Sequence, residues 1–382
     1  MDFTVGEAET AAAGLAAQIL RAVGAAGHEA TGGLATTAER ADFDAQLWKE
    51  LAGAGLLSLA VPEQLGGDGL GVQATAAVLT EVGRHAASIP ALASLALGVL
   101  PVARCTDTAL QRRLLAGVPA GDTVLTAAIR EPSDPLPDSP ASTFRAGAVS
   151  GVKIGVPFAA AASWILVPAS TPAGAVVVVV EPDSDGLSCQ RTRSSSGLPE
   201  YTVRLDHTPV LAILEGCPAD TLRQLAVAGA CAVADGALAA ALDLTSRHVR
   251  GREQFGRPLA TFQAVAQQIA DVYAAARTLH LATTSVCWRL DSGRDAAYDA
   301  DVAAYWLAEY APPALRMCHH LHGGLGMDMS YPLPRYSSLV TDLVSFVGGA
   351  DAGLDHLARR ELEHPEQPIK AAVAPDPGGR AL

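Results

Sequence analysis

Residues 251–263, GREQFGRPLATFQ, place an arginine, an amide, an aromatic ring and two glycines in a tract that is otherwise rich in alanine. The cluster predicts a corner at which one helix ends and another begins at Pro258, so that the side chain of Arg252 projects outward. A guanidinium binds phosphate oxygens in a bidentate manner, and Gly256 allows a backbone to approach closely. These residue types therefore favour phosphate binding. Taken alone, the pattern is equally consistent with Arg252 and Glu253 being ordinary surface charges at a helix break.

A second cluster, HHLHGGLGM at residues 319–327, has two adjacent glycines after a helical stretch. Backbone N–H groups at such a pair can bind a diphosphate, and the pair alone is a weak signal. His319 and His322 lie one helical turn apart and suggest a metal site. Two ligands are too few for a bound metal, so we predict none.

The coarse pattern of the chain places both clusters in a helical C-terminal part. Residues 1–120 are predicted as an N-terminal helical domain, and residues 121–216 as a small β domain with runs such as WILVPA and AVVVVVE. Residues 217–365 are predicted as a helical bundle and residues 366–382 as a loose tail. Because helices, strands and helices follow one another in blocks, the pattern indicates an α+β, mainly α fold rather than a βαβ fold.

The composition excludes several classes of partner. The 382 residues carry a formal net charge of -13 and no basic run, whereas nucleic acids and anionic membranes require clustered Lys and Arg. The six cysteines are widely spaced and predict reduced, mostly buried thiols of a cytoplasmic protein. The first residues, MDFTVGEAET, lack the basic and apolar parts of a signal peptide. The stretch 225–244 contains Asp235 and is only weakly hydrophobic, so we predict no membrane span.

Four motifs, in order along the chain, resemble those of the acyl-CoA dehydrogenase family. The N-terminal helical signature of that family resembles LWKELAGAGLLSLAVPEQLGGDGLG, and the segment after it resembles EVGRHAASIP. Its R-x-x-F-G segment resembles GREQFGRPLATFQAVAQQIAD, and its Q-x-x-G-G-x-G segment resembles HLHGGLGMDMSYP. The resemblance implies a helical domain, a small β-barrel domain and a C-terminal four-helix bundle. It also implies FAD, a CoA thioester substrate, an electron-transfer acceptor, and dimers or tetramers in which two subunits share each flavin.

The resemblance also implies roles for individual residues. In the family, the last two motifs reach across a subunit interface to hold the adenosine and diphosphate of the neighbour's FAD. By resemblance, Arg252 pairs with the diphosphate, Gln254 and Gln263 bond to the nucleotide, and Phe255 packs at its edge. His320 stands where the family usually has glutamine. The predicted cofactor-binding residues are Arg252, Gln254, Phe255, Gln263, His320, Gly323 and Gly324.

The catalytic base of the family is missing from this chain. Members of the family remove a proton α to the thioester carbonyl with a glutamate at one of two places, and a hydride passes to the flavin. Counting from the Tyr-Pro pair at residues 331 and 332 puts Val347 at the first place. Counting ten residues before Gly236 puts Ala226 at the second. We therefore predict no catalytic residue.

Contacts to the flavin ring are depleted as well. The family's T-E-P-x-x-G-S-D segment is matched only by REPSD, from Arg130 to Asp134. Gly155 and Pro157 replace the aromatic and hydroxyl residues that flank the ring in the family. The parts that serve a neighbour's flavin are kept, and the parts that serve the chain's own site are lost.

This asymmetry predicts a non-catalytic, half-site subunit. Its expected partner is a homologous catalytic acyl-CoA dehydrogenase subunit in an α2β2 hetero-oligomer, and a steroid side-chain CoA thioester as substrate follows from the resemblance alone. Two alternatives stay open. The first is a self-sufficient flavoenzyme with an unconventional base, for which Glu215 and Asp351 are poor candidates. The second is a flavin-free scaffold or binding protein in which Arg252 has no remaining role.

Overall fold

A computed structural model describes residues 6–27, 43–132 and 134–363. Within these residues, helices come first, then the strands of one large sheet, then helices again. The mainly helical α+β fold is confirmed. The predicted tail lies outside the described residues. The predicted boundaries after residues 120 and 216 fall between elements and stay predictions.

Short acidic side chains start two of the N-terminal helices. Asp44 accepts a hydrogen bond from the Leu47 amide at 2.9 Å, and Asp107 accepts from the amide of Leu110 at 3.0 Å. Each carboxylate satisfies a helix N–H that has no partner within the helix. The elements of this part are α1 (Glu7–Gly27), α2 (Ala45–Gly53), α3 (Val72–His85), a π-helix (Leu92–Val99) that continues as α4 (Leu100–Ala103), and α5 (Thr108–Leu115).

The middle part is one eight-stranded sheet. Its strands are β1 (Leu125–Ala127), β2 (Thr143–Arg145), β3 (Ala148–Pro157), β4 (Trp164–Thr171), β5 (Gly174–Val180), β6 (Leu187–Thr192), β7 (Glu200–Pro209) and β8 (Ala212–Ile213). The order is β6-β7-β3-β2-β4-β5-β8, and β1 pairs with β4 in parallel. The expected barrel is corrected to an open sheet, because the pairing of the described strands does not close. The two-residue β8 and the largely exposed β6 form its edges.

The strands at the centre of the sheet are buried on both faces. In β4, Leu166 packs into the core shared with the helices, while Ile165 and Val167 belong to a second apolar cluster on the opposite face. Val177 and Val178 of β5 divide between the two clusters in the same way. Two-sided burial explains why WILVPA and AVVVVV are continuous apolar runs rather than alternating ones.

A long central helix organises the C-terminal part. The helices are α6 (Ala219–Gly251), α7 (Gln263–Asp291), α8 (Ala297–His322), α9 (Leu333–Phe346) and α10 (Gly349–Glu363). Helix α6 packs against α3, α7, α8 and α9. Its small residues allow close approach, because a side chain at Gly236 would overlap the Thr80 carbonyl of α3 and lie 2.8 Å from the Arg84 nitrogen.

Among the described helices, α6 has the length and apolar composition needed to cross a membrane. Of its most apolar window, 89% is buried inside the protein. A helix that is apolar on all sides is expected at the centre of a bundle, so its position in the fold accounts for its composition.

The cysteines follow the prediction. All six are free thiols, and only Cys189 is partly exposed. Burial raises the pKa of Cys217 and of Cys287 to about 12. Thiols held neutral in this way are unreactive.

Candidate functional site

Arg252 lies directly after the last residue of α6. Its backbone is extended, and its amide donates to the His248 carbonyl at 2.8 Å. The side chain is exposed, and within the described part of the chain its guanidinium pairs with no carboxylate. An unpaired, exposed guanidinium at a chain corner is available to an anion from outside this chain.

A hairpin follows Arg252, rather than the predicted helix–helix corner. β9 (Glu253–Gln254) and β10 (Arg257–Pro258) pair in antiparallel fashion, a 3-10 turn follows, and α7 begins only at Gln263. Pro258 does not start a helix, because its ψ of 140° continues the extended chain. The turn residues Phe255 and Gly256 have φ of 55° and 77°. Positive φ at both central residues is typical of a tight two-residue hairpin.

Phe255 is the most exposed large apolar side chain of the described residues, with 91% of it accessible to solvent. Its left-handed backbone costs about 1–3 kcal/mol for a residue with a side chain, and such strain persists mostly at functional sites. The ring meets Phe262 edge-on at 6.1 Å, and the guanidinium of Arg257 lies 4.1 Å from the Phe262 ring. The hairpin therefore exposes Phe255 at a turn that is supported by the contacts of Phe262 with Phe255 and Arg257.

The two glycines of the second motif end α8. Helix α8 stops at His322, Gly323 has a φ of 60°, and residues Gly323–Met327 form a 3-10 turn. A side chain added at Gly323 or at Gly324 would meet nothing within 4 Å. The backbone of this turn is therefore open to a ligand.

Histidines hold this turn in place. The Nδ1–H of His319 donates to the Gly326 carbonyl at 2.8 Å, and its Nε2 lies 2.6 Å from the Ser337 hydroxyl. The Nδ1–H of His322 donates to the Cys318 carbonyl at 2.8 Å. The two histidines whose spacing suggested a metal site are thus engaged in fixing the end of α8.

A stacked histidine pair joins the ends of α6 and α8. The rings of His248 and His322 lie 4.4 Å apart with an interplanar angle of 21°. Burial, and then the charge of Arg252, lowers the pKa of His248. Burial also lowers the pKa of His322, and the other two histidines lower it further. The lowered pKa values favour the neutral form of both rings.

We call the seven predicted residues the clamp. The structure brings Arg252 and the glycine turn to one end of the bundle, and the hairpin attaches Gln254 and Phe255 to the same corner. Gln263 begins α7 beside Phe262, and Gln254, Gln263 and His320 are exposed. Exposed amides, a glycine turn without side chains and an exposed guanidinium suit a nucleotide diphosphate.

A second site is a cleft between α3, the π-helix, the sheet and α9. Its cavity volume is about 60 Å³, and its lining is mostly apolar. Gly155 and Pro157 form part of the β-sheet wall, and Phe346 forms part of the α9 wall. We call this the cleft.

The two places for the family's base hold buried apolar residues. Val347 is 2% exposed at the end of α9, and Ala226 is fully buried in α6. The two weak candidates, Glu215 and Asp351, are exposed and do not line the cleft.

Two carboxylates that the motifs did not indicate do line the cleft. Glu200 begins β7, and Asp342 belongs to α9. Asp342 accepts from the amides of Ser195 and Ser196 at 2.7 and 2.8 Å. Burial raises the pKa of Glu200, Asp342 raises it further, and Arg130 lowers it. The sequence signal that points to these carboxylates is Arg130, because it places a cation where the family's motif has a threonine.

The residue after Arg130 has a different task. Glu131 accepts from Lys153 at 2.7 Å and from the Ser142 hydroxyl at 2.6 Å, deep in the sheet. Lys153 also donates to the Pro168 carbonyl at 2.8 Å. This fully bonded buried pair fastens the loop before β2 to the sheet and takes no part in the cleft.

Comparison with known proteins identifies the family. The chain matches "Acyl-CoA dehydrogenase, C-terminal domain" over residues 223–354 and "Acyl-CoA dehydrogenase, N-terminal domain" over residues 18–122. It is 48% identical over 315 residues to acyl-CoA dehydrogenase FadE28 of Mycobacterium tuberculosis, a match that covers 82% of this chain and 91% of FadE28.

Two solved structures show the same fold over nearly the whole chain. One is the Tcur3481-Tcur3483 steroid ACAD, with a TM-score of 0.88, 34% identity, and coverage of 95% of this chain and 99% of the other. The other is the ChsE4-ChsE5 complex from Mycobacterium tuberculosis, with a TM-score of 0.86, 32% identity, and coverage of 96% and 100%. This chain belongs to the acyl-CoA dehydrogenase family, whose members are FAD-binding oxidoreductases that act on CH–CH bonds.

Proposed function

We propose that this chain is the non-catalytic subunit of a heteromeric acyl-CoA dehydrogenase, and that its clamp completes the FAD site of a homologous catalytic subunit. The proposal rests on one contrast: the exposed guanidinium of Arg252 pairs with no carboxylate of the described residues, whereas buried Val347 stands where the family has its base. The similar Tcur3481-Tcur3483 and ChsE4-ChsE5 structures each pair two components, which supports a heteromer.

The clamp residues divide the task of holding a dinucleotide. Arg252 would pair with diphosphate oxygens, and the lack of side chains at Gly323 and Gly324 would let the diphosphate approach the backbone of the turn. Gln254, Gln263 and His320 offer neutral donors and acceptors to the adenosine part. When bound, FAD supplies the hydride acceptor, and the partner subunit's carboxylate removes the α proton.

The proposed substrate is a CoA thioester with a bulky acyl group, such as a steroid side chain. The support is that the Tcur3481-Tcur3483 enzyme is described as a steroid ACAD and is 34% identical over nearly all of this chain. The acyl pocket itself belongs to the partner in this proposal.

Flavin stoichiometry tests the proposal. Visible absorbance of the chain purified alone is compared with that of the chain co-expressed with candidate acyl-CoA dehydrogenase partners. We expect no flavin in the isolated chain and one flavin per pair of chains in the complex. One flavin per isolated chain, with turnover of an acyl-CoA, would refute it.

The self-sufficient enzyme now has a better candidate base than Glu215 or Asp351. Glu200 lines the cleft, and its raised pKa is a property of general bases that work near neutral pH. Loss of acyl-CoA turnover in Glu200→Gln, measured on the isolated chain, would favour that alternative. The flavin-free scaffold predicts no flavin in any complex of this chain.

A further inference from the structure

The guanidinium of Arg130 fills the space above Gly155 in the cleft. Gly155 has a φ of 56°, and a Cβ added there would overlap Nη1 of Arg130 and lie 3.2 Å from its guanidinium carbon. The same Cβ would lie 3.6 Å from Oε2 of Glu200. Only glycine at residue 155 is compatible with this position of the arginine.

Several groups on different elements hold the guanidinium there. Nη2 donates to the Ser345 hydroxyl of α9 at 3.1 Å, while the Arg130 carbonyl accepts from the Ile154 amide of β3 at 3.0 Å. The carboxylates of Glu200 and Asp342 face the same cation from β7 and α9. Arg130 therefore ties the sheet to α9 across the cleft.

Burial lowers the pKa of Arg130, and the two carboxylates raise it. Because an arginine stays protonated in proteins, the guanidinium keeps its charge. Its Nε is buried and has no hydrogen-bond partner within the described residues. The guanidinium is therefore partly buried, and the charges of Glu200 and Asp342 favour its presence there.

A flavin ring does not fit beside this arrangement. A flat aromatic ring needs a continuous slot between two surfaces, and the slot over Gly155 holds a planar guanidinium instead. The carbonyl oxygens of a flavin ring and the carboxylates of Glu200 and Asp342 are all hydrogen-bond acceptors, and two acceptors repel each other unless a donor lies between them.

We propose that Arg130 excludes the flavin ring from this chain's own cleft and thereby assigns the cofactor to the partner's cleft alone. The biological meaning of this exclusion rests on the proposed function. The exclusion itself rests on Arg130, Gly155, Glu200, Asp342 and Ser345. In this proposal the guanidinium of Arg130 replaces the flavin ring that members of the family bind.

A double-mutant cycle on the full-length chain tests the geometry. We expect Gly155→Ala to lower the Tm by several degrees in the wild-type background and by clearly less in an Arg130→Ala background, where the overlap is gone. Gly197→Ala is the control, because Gly197 also has a positive φ, of 81°, and a Cβ there would meet nothing within 4 Å. Its Tm loss should be the same in both backgrounds. Equal losses for Gly155→Ala in both backgrounds would show that Arg130 does not lie over Gly155.

A ligand titration tests the exclusion. Lumiflavin, a bare flavin ring, is added to the full-length chain, and quenching of its fluorescence is measured. We expect Arg130→Ala to bind roughly ten-fold more tightly than the wild type, a change of about 1.4 kcal/mol, because the slot is vacated. Arg130→Met, which keeps the slot filled without the charge, should bind no better than wild type. Equal binding by wild type and Arg130→Ala would overturn the proposal.

The two proposals fail separately. Flavin at one per chain in the co-expressed complex would show a ring in this cleft and overturn the exclusion. Flavin absent from every complex would refute the proposed function. If the Arg130–Gly155 coupling and lumiflavin binding to Arg130→Ala still held in that case, the exclusion would stand.

Discussion

The clamp and the cleft each contain one key arginine, and the two arginines differ in their exposure and in the charges around them. Arg252 is exposed, unpaired within the described chain, and next to glycines whose backbone is open. Arg130 is largely enclosed and faces two carboxylates of its own chain. The guanidinium of Arg252 is available to an anion from outside the chain, whereas that of Arg130 interacts with carboxylates of its own chain.

This difference shows that the cleft has been filled rather than simply eroded. The pair formed by Glu131 and Lys153 beneath it remains completely bonded, and Asp342 is held by two backbone amides. The Ser345 hydroxyl accepts from Arg130 and Asp342 accepts from two backbone amides, so these groups have partners within the chain, whereas Nε of Arg130 has none within the described residues.

The largest expected effect concerns the buried ion pair of Glu131 and Lys153 in the sheet. Lys153→Met leaves the carboxylate of Glu131 buried without its cation, and we expect a loss of about 3–5 kcal/mol in the free energy of unfolding. Lys49→Met is the matched control, because Lys49 pairs with Asp122 at an exposed site and should cost less than about 1 kcal/mol. Urea unfolding midpoints measure both variants. Equal midpoints would mean that this buried pair does not stabilise the sheet domain.

Sequence motifs named residues that the fold brings to one end of the bundle, but they did not name the carboxylates of the cleft. The R-x-x-F-G and glycine motifs are local, so the sequence could name Arg252, Phe255 and Gly323, and the fold brings them to one end of the bundle. The cleft is made by residues far apart in the chain. Glu200 and Asp342 face Arg130 only because β7 and α9 line the same cleft. Apolar periodicity along one strand or helix carries no information about which distant residues the fold brings together.

The errors in the predicted fold also have local causes. A proline suggested the start of a helix at residue 258, whereas the turn at Phe255 and Gly256 makes the chain pair with itself first. Closure of the sheet depends on pairing between its first and last strands, and no pattern within a single strand reports it. The order of helices and strands, by contrast, follows directly from apolar periodicity and composition.

The second prediction tests the exposed arginine. In a flavin-containing complex, Arg252→Ala should weaken FAD binding about 10- to 100-fold, because charge-assisted hydrogen bonds contribute about 1.5–3 kcal/mol. Arg250→Ala, an exposed arginine in the last turn of α6, should leave FAD binding unchanged. Flavin retained after dialysis measures both. Equal retention by the two variants would show that Arg252 is not part of the flavin site.

The third prediction concerns the acid in the cleft. The pKa of Glu200 is raised above its unfolded value of about 4.3. Between those two pKa values the folded chain holds a proton that the unfolded chain has lost, so stability falls as pH rises. Glu200→Gln removes this titration, and the Tm of the variant relative to wild type should increase from pH 4.5 to pH 7.

The same variant separates the two flavoenzyme hypotheses. A non-catalytic subunit predicts that a complex containing Glu200→Gln turns over acyl-CoA at the wild-type rate. Asp342→Asn is less suited to this comparison, because Asp342 also holds the backbone at Ser195 and Ser196. A large drop in turnover with Glu200→Gln, and no drop in stability at neutral pH, would identify Glu200 as a base.

The smallest expected effect is a pH dependence of opposite sign in the clamp. The pKa values of His248 and His322 are lowered below the unfolded value of about 6.5. As pH falls below 6.5, the unfolded chain takes up these protons first, so the folded state loses stability. His248→Phe keeps a ring stacked on His322 but cannot be protonated beside Arg252, and we expect its Tm and flavin retention to depend less on pH between 6.5 and 5. His207→Phe, at an exposed histidine of the sheet, is the control. If both variants follow the wild-type curve, the stack does not couple protonation to the clamp, and the acid sensitivity must arise elsewhere. If only His248→Phe flattens the curve while Glu200→Gln alters the opposite slope, the two regions respond to protons in opposite directions, as their burial and charges require.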